Sequence, residues 1–262
     1  MSIENNISKL QPFLMSSVPK SGTHLLQQIL NGIPYTSNDI NDAEKKFFVD
    51  HHPQDIEIYK DHFYRLAHLQ AGEFGVGHMF YSEKYAYMLK RLNLKHVFIY
   101  RDPRDVLISL IHFIPKHWIE HPLYNDFNKS ITNNKERIMT LIHGTEAKWP
   151  NFDKWNRPFY NWIGKPNTLA ISFESLMNSI ESRRNCMMTI VQYLWEEDSG
   201  TLPIEKIIDA MEANINPGKS RTFREGKIAS WKEEFDNEIK EAFKKVAGDL
   251  LIDFGYEKDN NW

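Results

Sequence analysis

Short apolar runs alternate with helical patterns along most of the chain, and this alternation predicts its fold. The apolar runs predict strands over residues 12–18, 73–78, 95–100 and 167–173. Apolar positions at helical spacing predict helices over 22–31, 82–92, 103–114, 179–195, 203–213 and 234–248. Strands that alternate with helices are typical of an α/β fold, with a central, mostly parallel sheet flanked by helices.

Two stretches lack a clear period. Residues 34–72 mix polar and aromatic side chains, and we expect loops and short helices there. Residues 115–165 carry many Trp, Tyr and Phe side chains without a regular spacing. No internal repeat and no linker-like tract divides the chain, so we expect a single domain over residues 1–262.

Composition and charge exclude some classes of function. The 262 residues contain 32 Lys and Arg against 35 Asp and Glu, so the formal charge is 32 − 35 = −3. This balance argues against a nucleic-acid partner, because such proteins usually present a strongly basic face. Cys186 is the single cysteine, which favours a reducing compartment. No uncharged apolar run approaches the roughly 20 residues that span a bilayer, and the first residues lack the apolar centre of a signal peptide. We therefore expect a cytoplasmic protein without a membrane partner.

The segment Pro19–Thr23 has the chemistry of an anion site. It lies between the first predicted strand and the first predicted helix. Backbone N–H groups at a helix N-terminus point towards an anion, and the helix dipole favours negative charge there. Gly22 allows a close backbone approach, Lys20 adds a positive charge, and Ser21 and Thr23 add hydroxyl donors. The segment predicts a phosphorylated ligand.

Two kinds of phosphate site are open at this point. The P-loop of nucleotide kinases and ATPases has a glycine before the lysine, whereas here Gly22 follows Lys20. The run Val97–Asp102 could still supply the strand and aspartate of a magnesium site. Arg101 is suited to bind a second phosphate through charge-assisted bonds, although an ion pair with Asp102 or Asp105 would also explain it.

Four stretches in the same order resemble the cytosolic sulfotransferases, which use 3′-phosphoadenosine 5′-phosphosulfate (PAPS). Pro19–Thr23 is similar to their first motif. Arg101, with Ser109 eight residues later, is similar to the second, and Arg224–Lys232 to the third. The closing Leu250–Glu257 also resembles the end of these proteins.

The resemblance implies a P-loop-like sulfotransferase fold and a PAPS site. In that family the first motif holds the 5′-phosphosulfate, and the arginines and serine of the second and third motifs hold the 3′-phosphate. The residues it assigns to PAPS here are Lys20, Ser21, Gly22, Thr23, His24, Arg101, Ser109, Phe173, Phe223, Arg224, Glu225 and Gly226. The expected product is adenosine 3′,5′-bisphosphate, and no metal is required.

The resemblance also implies a catalytic group. The family places a histidine base some twenty residues before the arginine of the second motif, and His78 lies 23 residues before Arg101. An imidazole removes a proton near neutral pH. Lys20 would stabilise charge on the leaving group, and Ser109 would restrain Lys20. The pattern His117–His121 resembles a zinc motif, but Pro122 ends any helix there, so we expect no metal site.

Some positions depart from the family. Leu25 stands where an aromatic side chain is usual, and Phe173 replaces a frequent tyrosine. Val76 replaces a lysine near the expected base. By elimination, residues 34–72, 79–85 and 115–162 would line the acceptor pocket.

The sequence therefore predicts transfer of a sulfuryl group to a hydroxyl, or to an amine, of a small molecule. The aromatic side chains of the expected pocket suit a planar or partly apolar acceptor, and the acidic residues of its first segment leave a cationic one open. A P-loop kinase or ATPase and a non-catalytic nucleotide-binding module remain the alternatives. The oligomeric state is open.

Overall fold

A five-stranded parallel sheet is the centre of the fold. The computed structural model describes residues 10–38, 42–48, 56–196, 203–219 and 226–262. The strands are β1 (Phe13–Ser17), β2 (Lys46–Phe48), β3 (Phe74–His78), β4 (Lys95–Tyr100) and β5 (Thr168–Ser172). Their order in the sheet is β2-β3-β1-β4-β5, and each pairing is parallel. The predicted α/β class and parallel sheet are confirmed.

The helices follow the strands in chain order. They are α1 (Thr23–Asn31), α2 (Ile56–Ala67), α3 (Glu83–Arg91), α4 (Pro103–His117), α5 (Tyr124–Lys129), α6 (Asn134–His143), α7 (Phe152–Tyr160), α8 (Phe173–Met177), α9 (Ile180–Trp195), α10 (Ile204–Ala213), α11 (Trp231–Glu234) and α12 (Asn237–Asp253). Short 3₁₀ turns cover Ala43–Lys45 and Pro217–Lys219. Within the described ranges, no helix is both long and apolar enough to cross a bilayer.

The central strand is buried along its whole length. All five residues of β1 are buried, including Ser16 and Ser17. A continuous buried run is typical of an inner strand of a parallel sheet, because helices cover both faces. The carboxyl ends of β3, β1 and β4 consequently lie side by side at one edge of the sheet, where ligands of such folds bind.

The glycines of β3 make room for its neighbour β2. A Cβ atom at Gly77 would lie 2.0 Å from the carbonyl oxygen of Phe47, and one at Gly75 would lie 2.6 Å from the Phe47 ring. Any larger side chain would push β2 away. The register then pairs Phe48 with His78, which places both residues at the carboxyl ends of their strands.

The chain divides into two compact units. The first contains Met1–Tyr100 and Asn161–Phe223 and carries the sheet. The second contains Arg101–Tyr160 and Arg224–Trp262. Its helices enclose a core of their own, with the fully buried side chains of Phe127, Ile138, Phe152 and Phe243. The expected single domain over residues 1–262 stays a prediction.

Several element predictions need correction. Residues 34–72 contain the strand β2 and the twelve-residue helix α2. Residues 115–165 contain the three helices α5, α6 and α7. Helix α4 continues to His117, past its predicted end at residue 114, with Pro115 inside its last turn.

Candidate active site

The turn between β1 and α1 has an unusual backbone. Lys20 and Gly22 both have left-handed conformations, with φ of 70° and 97°. The N–H of Ser21 donates to the carbonyl of Val18 at 3.2 Å. Gly22 is also crowded, because a Cβ atom there would lie 2.7 Å from the ring of Phe173. A glycine is therefore required on two counts at this position.

This turn presents uncompensated donors. The side chain of Ser21 is fully buried, and its Oγ has no hydrogen-bond partner. Helix α1 begins at Thr23, and no side chain caps its first turn. Buried polar atoms are nearly always paired in folded proteins, so an orphaned hydroxyl beside an uncapped helix start indicates a missing acceptor. The helix dipole favours an anion as that acceptor.

His78 is joined to this turn by Ser17. The Oγ of Ser17 lies 2.8 Å from Thr23 Oγ1 and 2.9 Å from His78 Nδ1. The register of β1 with β3 explains this contact, since Ser16 pairs with Gly77 and the next residues of both strands end side by side. The structure therefore places the candidate base at the candidate anion site.

The environment of His78 fixes its protonation. Its Nδ1 also lies 3.3 Å from the carbonyl oxygen of Ser17. A carbonyl only accepts, so Nδ1 carries the hydrogen and Nε2 carries the lone pair. Burial lowers the pKa of His78 to about 3; the bond to the Ser17 carbonyl opposes that shift, and the positive charge of Lys20 adds to it. The imidazole is neutral at pH 7.

Two further side chains lie beside these groups. Burial lowers the pKa of His24, and the charge of Lys20 lowers it further, so His24 is also neutral near pH 7. The ring of Phe48 meets the ring of His78 edge to face, with centroids 4.8 Å apart. Phe48 is 43% exposed, so an apolar surface adjoins the candidate base.

Arg101 and Ser109 belong to the second unit. Arg101 is buried, and its Nη2 donates to Asp105 Oδ2 at 3.1 Å and to the carbonyl of Lys227 at 2.6 Å. The ion pair with Asp105 that the sequence allowed is present, within the interior of the unit. Ser109 is half-buried and lies one helical turn after Asp105 on α4.

The structure thus groups the predicted residues in two sets. The first unit brings together Lys20, Ser21, Gly22, Thr23, His24, His78 and Phe173. The second unit holds Arg101 and Ser109 together with Gly226, which precedes the Lys227 carbonyl that Arg101 contacts. Phe223, Arg224 and Glu225 lie outside the described residues.

The candidate zinc pattern does not form a chelating pair. His121 is buried, and its Nδ1 accepts the N–H of Leu123 at 3.1 Å. His117 is exposed at the end of α4. In the part of the chain that the structure describes, no three His, Cys, Asp or Glu side chains form a group suited to a metal.

Three residues beside the site escaped sequence reasoning. Ser17 and Phe48 are the last residues of their strands, and Phe48 belongs to a strand that the periodicity did not predict. The sequence predicts Asp105 only as an ion-pair partner of Arg101. Its position four residues after Arg101 and four before Ser109 is the signal that could have marked it, because that spacing selects one helix face.

Comparisons with known proteins decide the family. A family model described as the sulfotransferase domain matches residues 10–255. The chain belongs to the sulfotransferase family. It is a sulfotransferase enzyme, and the resemblance inferred from its four motifs is confirmed. No curated protein sequence matches this sulfotransferase.

Solved structures share the fold of this sulfotransferase. Mouse sulfotransferase SULT7A1 complexed with PAP has a TM-score of 0.58 at 16% identity, over 94% of this chain and 86% of that one. Retinol dehydratase in complex with androsterone and inactive cofactor PAP has a TM-score of 0.59 at 20% identity, over 96% and 83%. Retinol dehydratase with retinol and PAP gives 0.55 at 19% identity, over 96% and 84%. At these identities the likeness shows the fold.

Proposed function

We propose that this sulfotransferase moves a sulfuryl group from PAPS to a hydroxyl, or an amine, of a small-molecule acceptor, with His78 as general base. The observation that carries the proposal is the contact of Ser17 Oγ with both Thr23 and His78. It joins an anion-binding turn to a neutral imidazole within one unit. The single cysteine supports a cytoplasmic location.

The turn at Lys20 fits the 5′-phosphosulfate. The unpartnered Oγ of Ser21 and the uncapped N–H groups of α1 need an acceptor, and Lys20 supplies a compensating charge. When bound, PAPS supplies an activated sulfuryl group on a phosphate leaving group. Gly22, packed against Phe173, keeps the backbone close to the ligand. No metal is needed to balance charge at such a turn.

The 3′-phosphate is assigned to Arg101, Ser109, Arg224 and Gly226 through the motif resemblance. Two of the similar structures contain PAP with a small molecule, androsterone or retinol. The buried guanidinium of Arg101, held by Asp105 and Lys227, is suited to this phosphate because its donors are fixed before a ligand arrives.

His78 is suited to take the acceptor proton at Nε2. Its Nδ1 hydrogen is directed at Ser17, so Nε2 has the lone pair. Burial is the main cause of the low pKa of the imidazole, and the charge of Lys20 lowers it further. An anion paired with Lys20 offsets only the contribution of Lys20, which raises the pKa and makes the imidazole a stronger base once the site is filled. Lys20 then stabilises the charge that develops on the leaving phosphate.

The exposed ring of Phe48 supports an acceptor with a planar or apolar part. It contacts His78 directly, so an acceptor hydroxyl at Nε2 would bring its carbon skeleton to this ring. The ring is neutral, and a cationic acceptor would gain only a cation–π contact there. We therefore favour a partly apolar alcohol or phenol.

Replacement of His78 tests the base. We expect His78→Ala to lower kcat by about 100-fold or more, the range lost with a general base, while the dissociation constant of adenosine 3′,5′-bisphosphate (PAP) changes by less than about twofold. Steady-state transfer from PAPS to a panel of phenols measures kcat, and calorimetry measures the binding of PAP. His68→Ala, at an exposed position just after the end of α2, is the control. Unchanged turnover in His78→Ala would remove this residue from the base role.

A further inference from the structure

Asp105 is a buried carboxylate with a donor at each of its acceptor positions. Its exposure is 0%. Oδ1 accepts from Ser230 Oγ at 2.9 Å and from the N–H of Trp231 at 3.0 Å. Oδ2 accepts from the N–H of Ala229 at 2.9 Å and from Arg101 Nη2 at 3.1 Å. A carboxylate has about four acceptor sites, so all of them are used.

These bonds hold the guanidinium of Arg101 in one orientation. The two hydrogens of Arg101 Nη2 are donated to two acceptors, Asp105 Oδ2 and the carbonyl oxygen of Lys227. A guanidinium is planar, so two bonds at one nitrogen determine where the rest of the fork points. Arg101 precedes α4, and Asp105 lies in its first turn, so the helix supplies a rigid base for both.

The same carboxylate holds a strained backbone. Ala229 has φ of 59°, a left-handed conformation that is unfavourable for a residue with a Cβ atom. The bond from its N–H to Asp105 helps to hold it there. Apolar packing usually stabilises an interior at least as well as a buried ion pair does. A strained loop fixed on a buried charge is characteristic of functional sites, where geometry matters more than stability.

We propose that Asp105 is a positioning residue that aims Arg101 at the 3′-phosphate of the nucleotide. The inference rests on the proposed function, in which Arg101 binds that phosphate. Asp105 itself does not touch the ligand. It acts through Arg101 and through the backbone of Lys227 and Ala229.

The test compares two ligands that differ only by the 3′-phosphate, PAP and adenosine 5′-phosphate. Asp105→Asn keeps the size of the side chain. An amide NH₂ group, which only donates, then replaces one carboxylate oxygen and faces neighbours that also donate. We expect its affinity for PAP to fall about tenfold, as for a lost charge-assisted bond, and its affinity for adenosine 5′-phosphate to change by less than about twofold. Calorimetric titration of the full-length protein measures both.

Asp102→Asn is the matched control. Asp102 is also a buried carboxylate of this turn, but it pairs with Arg104. Asparagine still serves as an N-cap, so the helix start is retained. We expect this variant to melt at a lower temperature with an unchanged ratio of the two affinities. The proposal would be overturned if Asp105→Asn lowered the affinities for PAP and adenosine 5′-phosphate equally. It would also be overturned if the ratio of these two affinities were the same in Asp105→Asn and Asp102→Asn.

Arg101→Ala separates this inference from the proposed function. If it lowers both affinities equally, the assignment of Arg101 to the 3′-phosphate fails. If it lowers the affinity for PAP selectively while Asp105→Asn does not, only the inference about Asp105 fails.

Ser230→Ala keeps the proposal testable should Asp105→Asn not fold. It removes one donor to Oδ1 and leaves the backbone bonds in place. We then expect about threefold weaker PAP binding, because one of the four bonds that hold the carboxylate is lost, with adenosine 5′-phosphate binding unchanged. Unchanged PAP binding in a folded Ser230→Ala would contradict the role of Asp105.

Discussion

The proposed role of His78 as a base depends on which of its ring nitrogens carries the proton. Ser17 determines this through two oxygen atoms, its hydroxyl and its carbonyl, both near Nδ1. The hydroxyl also contacts Thr23 in the anion-binding turn. One buried serine thus contacts both the candidate base and the candidate anion-binding turn.

Replacement of Ser17 should affect turnover more than cofactor binding. We expect Ser17→Ala to lower kcat about tenfold, because the imidazole loses one of its two orienting contacts. The Michaelis constant for PAPS should change by less than about twofold, since the main donors of the turn remain. Steady-state rates at saturating acceptor measure both.

Ser16→Ala is the control for this prediction. Ser16 is the preceding residue of β1 and is equally buried, but it points to the opposite face of the sheet and bonds His96 Nε2 at 2.7 Å. It should lower stability and leave kcat nearly unchanged. Equal losses of kcat in the two variants would mean that Ser17 acts only through packing.

The start of α1 depends on a glycine at position 22. An alanine there has to adopt φ of 97° and meets the ring of Phe173. We expect Gly22→Ala to lower the free energy of unfolding by about 1–2 kcal/mol, the cost of the left-handed conformation, and to weaken PAP binding because the turn shifts. Urea unfolding and calorimetry check this. Full stability with full affinity would contradict the geometry of the turn.

The sheet carries a buried histidine that makes its stability depend on pH. His96 on β4 is 0% exposed and lies between Ser16 on β1 and Thr168 on β5. Burial lowers its pKa to about 3, whereas an unfolded histidine has a pKa of about 6.5. As the pH falls below 6.5, the unfolded chain binds a proton that the folded chain excludes. The stability present above pH 6.5 is therefore lost progressively towards pH 3.

His96→Gln removes this titration. From the two pKa values of His96, the free energy of unfolding of the parent protein should fall by on the order of 2 kcal/mol between pH 7 and pH 5 because of this group. The variant should show a flatter fall in the free energy of unfolding over that range, measured by urea titration at three pH values. His68→Gln, at an exposed site, should keep the slope of the parent protein. A parent-like slope in His96→Gln would show that His96 does not control this dependence.

The sequence predicted the strands that carry the candidate site, but it did not predict β2 and α7. β1, β3, β4 and β5 have long apolar runs, and their predicted bounds agree with the structure within two residues. β2 has three residues, of which only Phe47 is buried, so it lacks a detectable period. In α7 the pattern of Phe152, Trp155 and Phe159 was helical, but neighbouring aromatic residues obscured it.

The sequence order of the motifs predicted the residues of the site better than it predicted their contacts. The resemblance assigned roles to Lys20, His78 and Arg101, but spacing alone does not reveal hydrogen bonds such as those of Ser17 or Asp105. Those bonds depend on strand register and on the path of a loop, both of which packing decides. The predicted roles in PAPS binding remain predictions.

Each of the two units of the chain carries its own set of candidate phosphate-binding residues. The first has an anion-binding turn and a neutral histidine, and the second has the buried arginine and its serine. The proposed function predicts that a ligand phosphorylated at both ends binds far better than one phosphorylated at the 5′ end alone. It should also bind better than a nucleoside triphosphate, whose charges all lie at the 5′ end.

Calorimetric titration of the full-length protein with PAP, and separately with ATP and magnesium, tests the central claim most directly. We expect one PAP per chain with a dissociation constant of about 1 µM or below, a range typical of nucleotide sites with several charge-assisted bonds, and no measurable ATP binding at the same concentrations. Binding of ATP without binding of PAP at high micromolar concentration would contradict the assignment of a PAPS site.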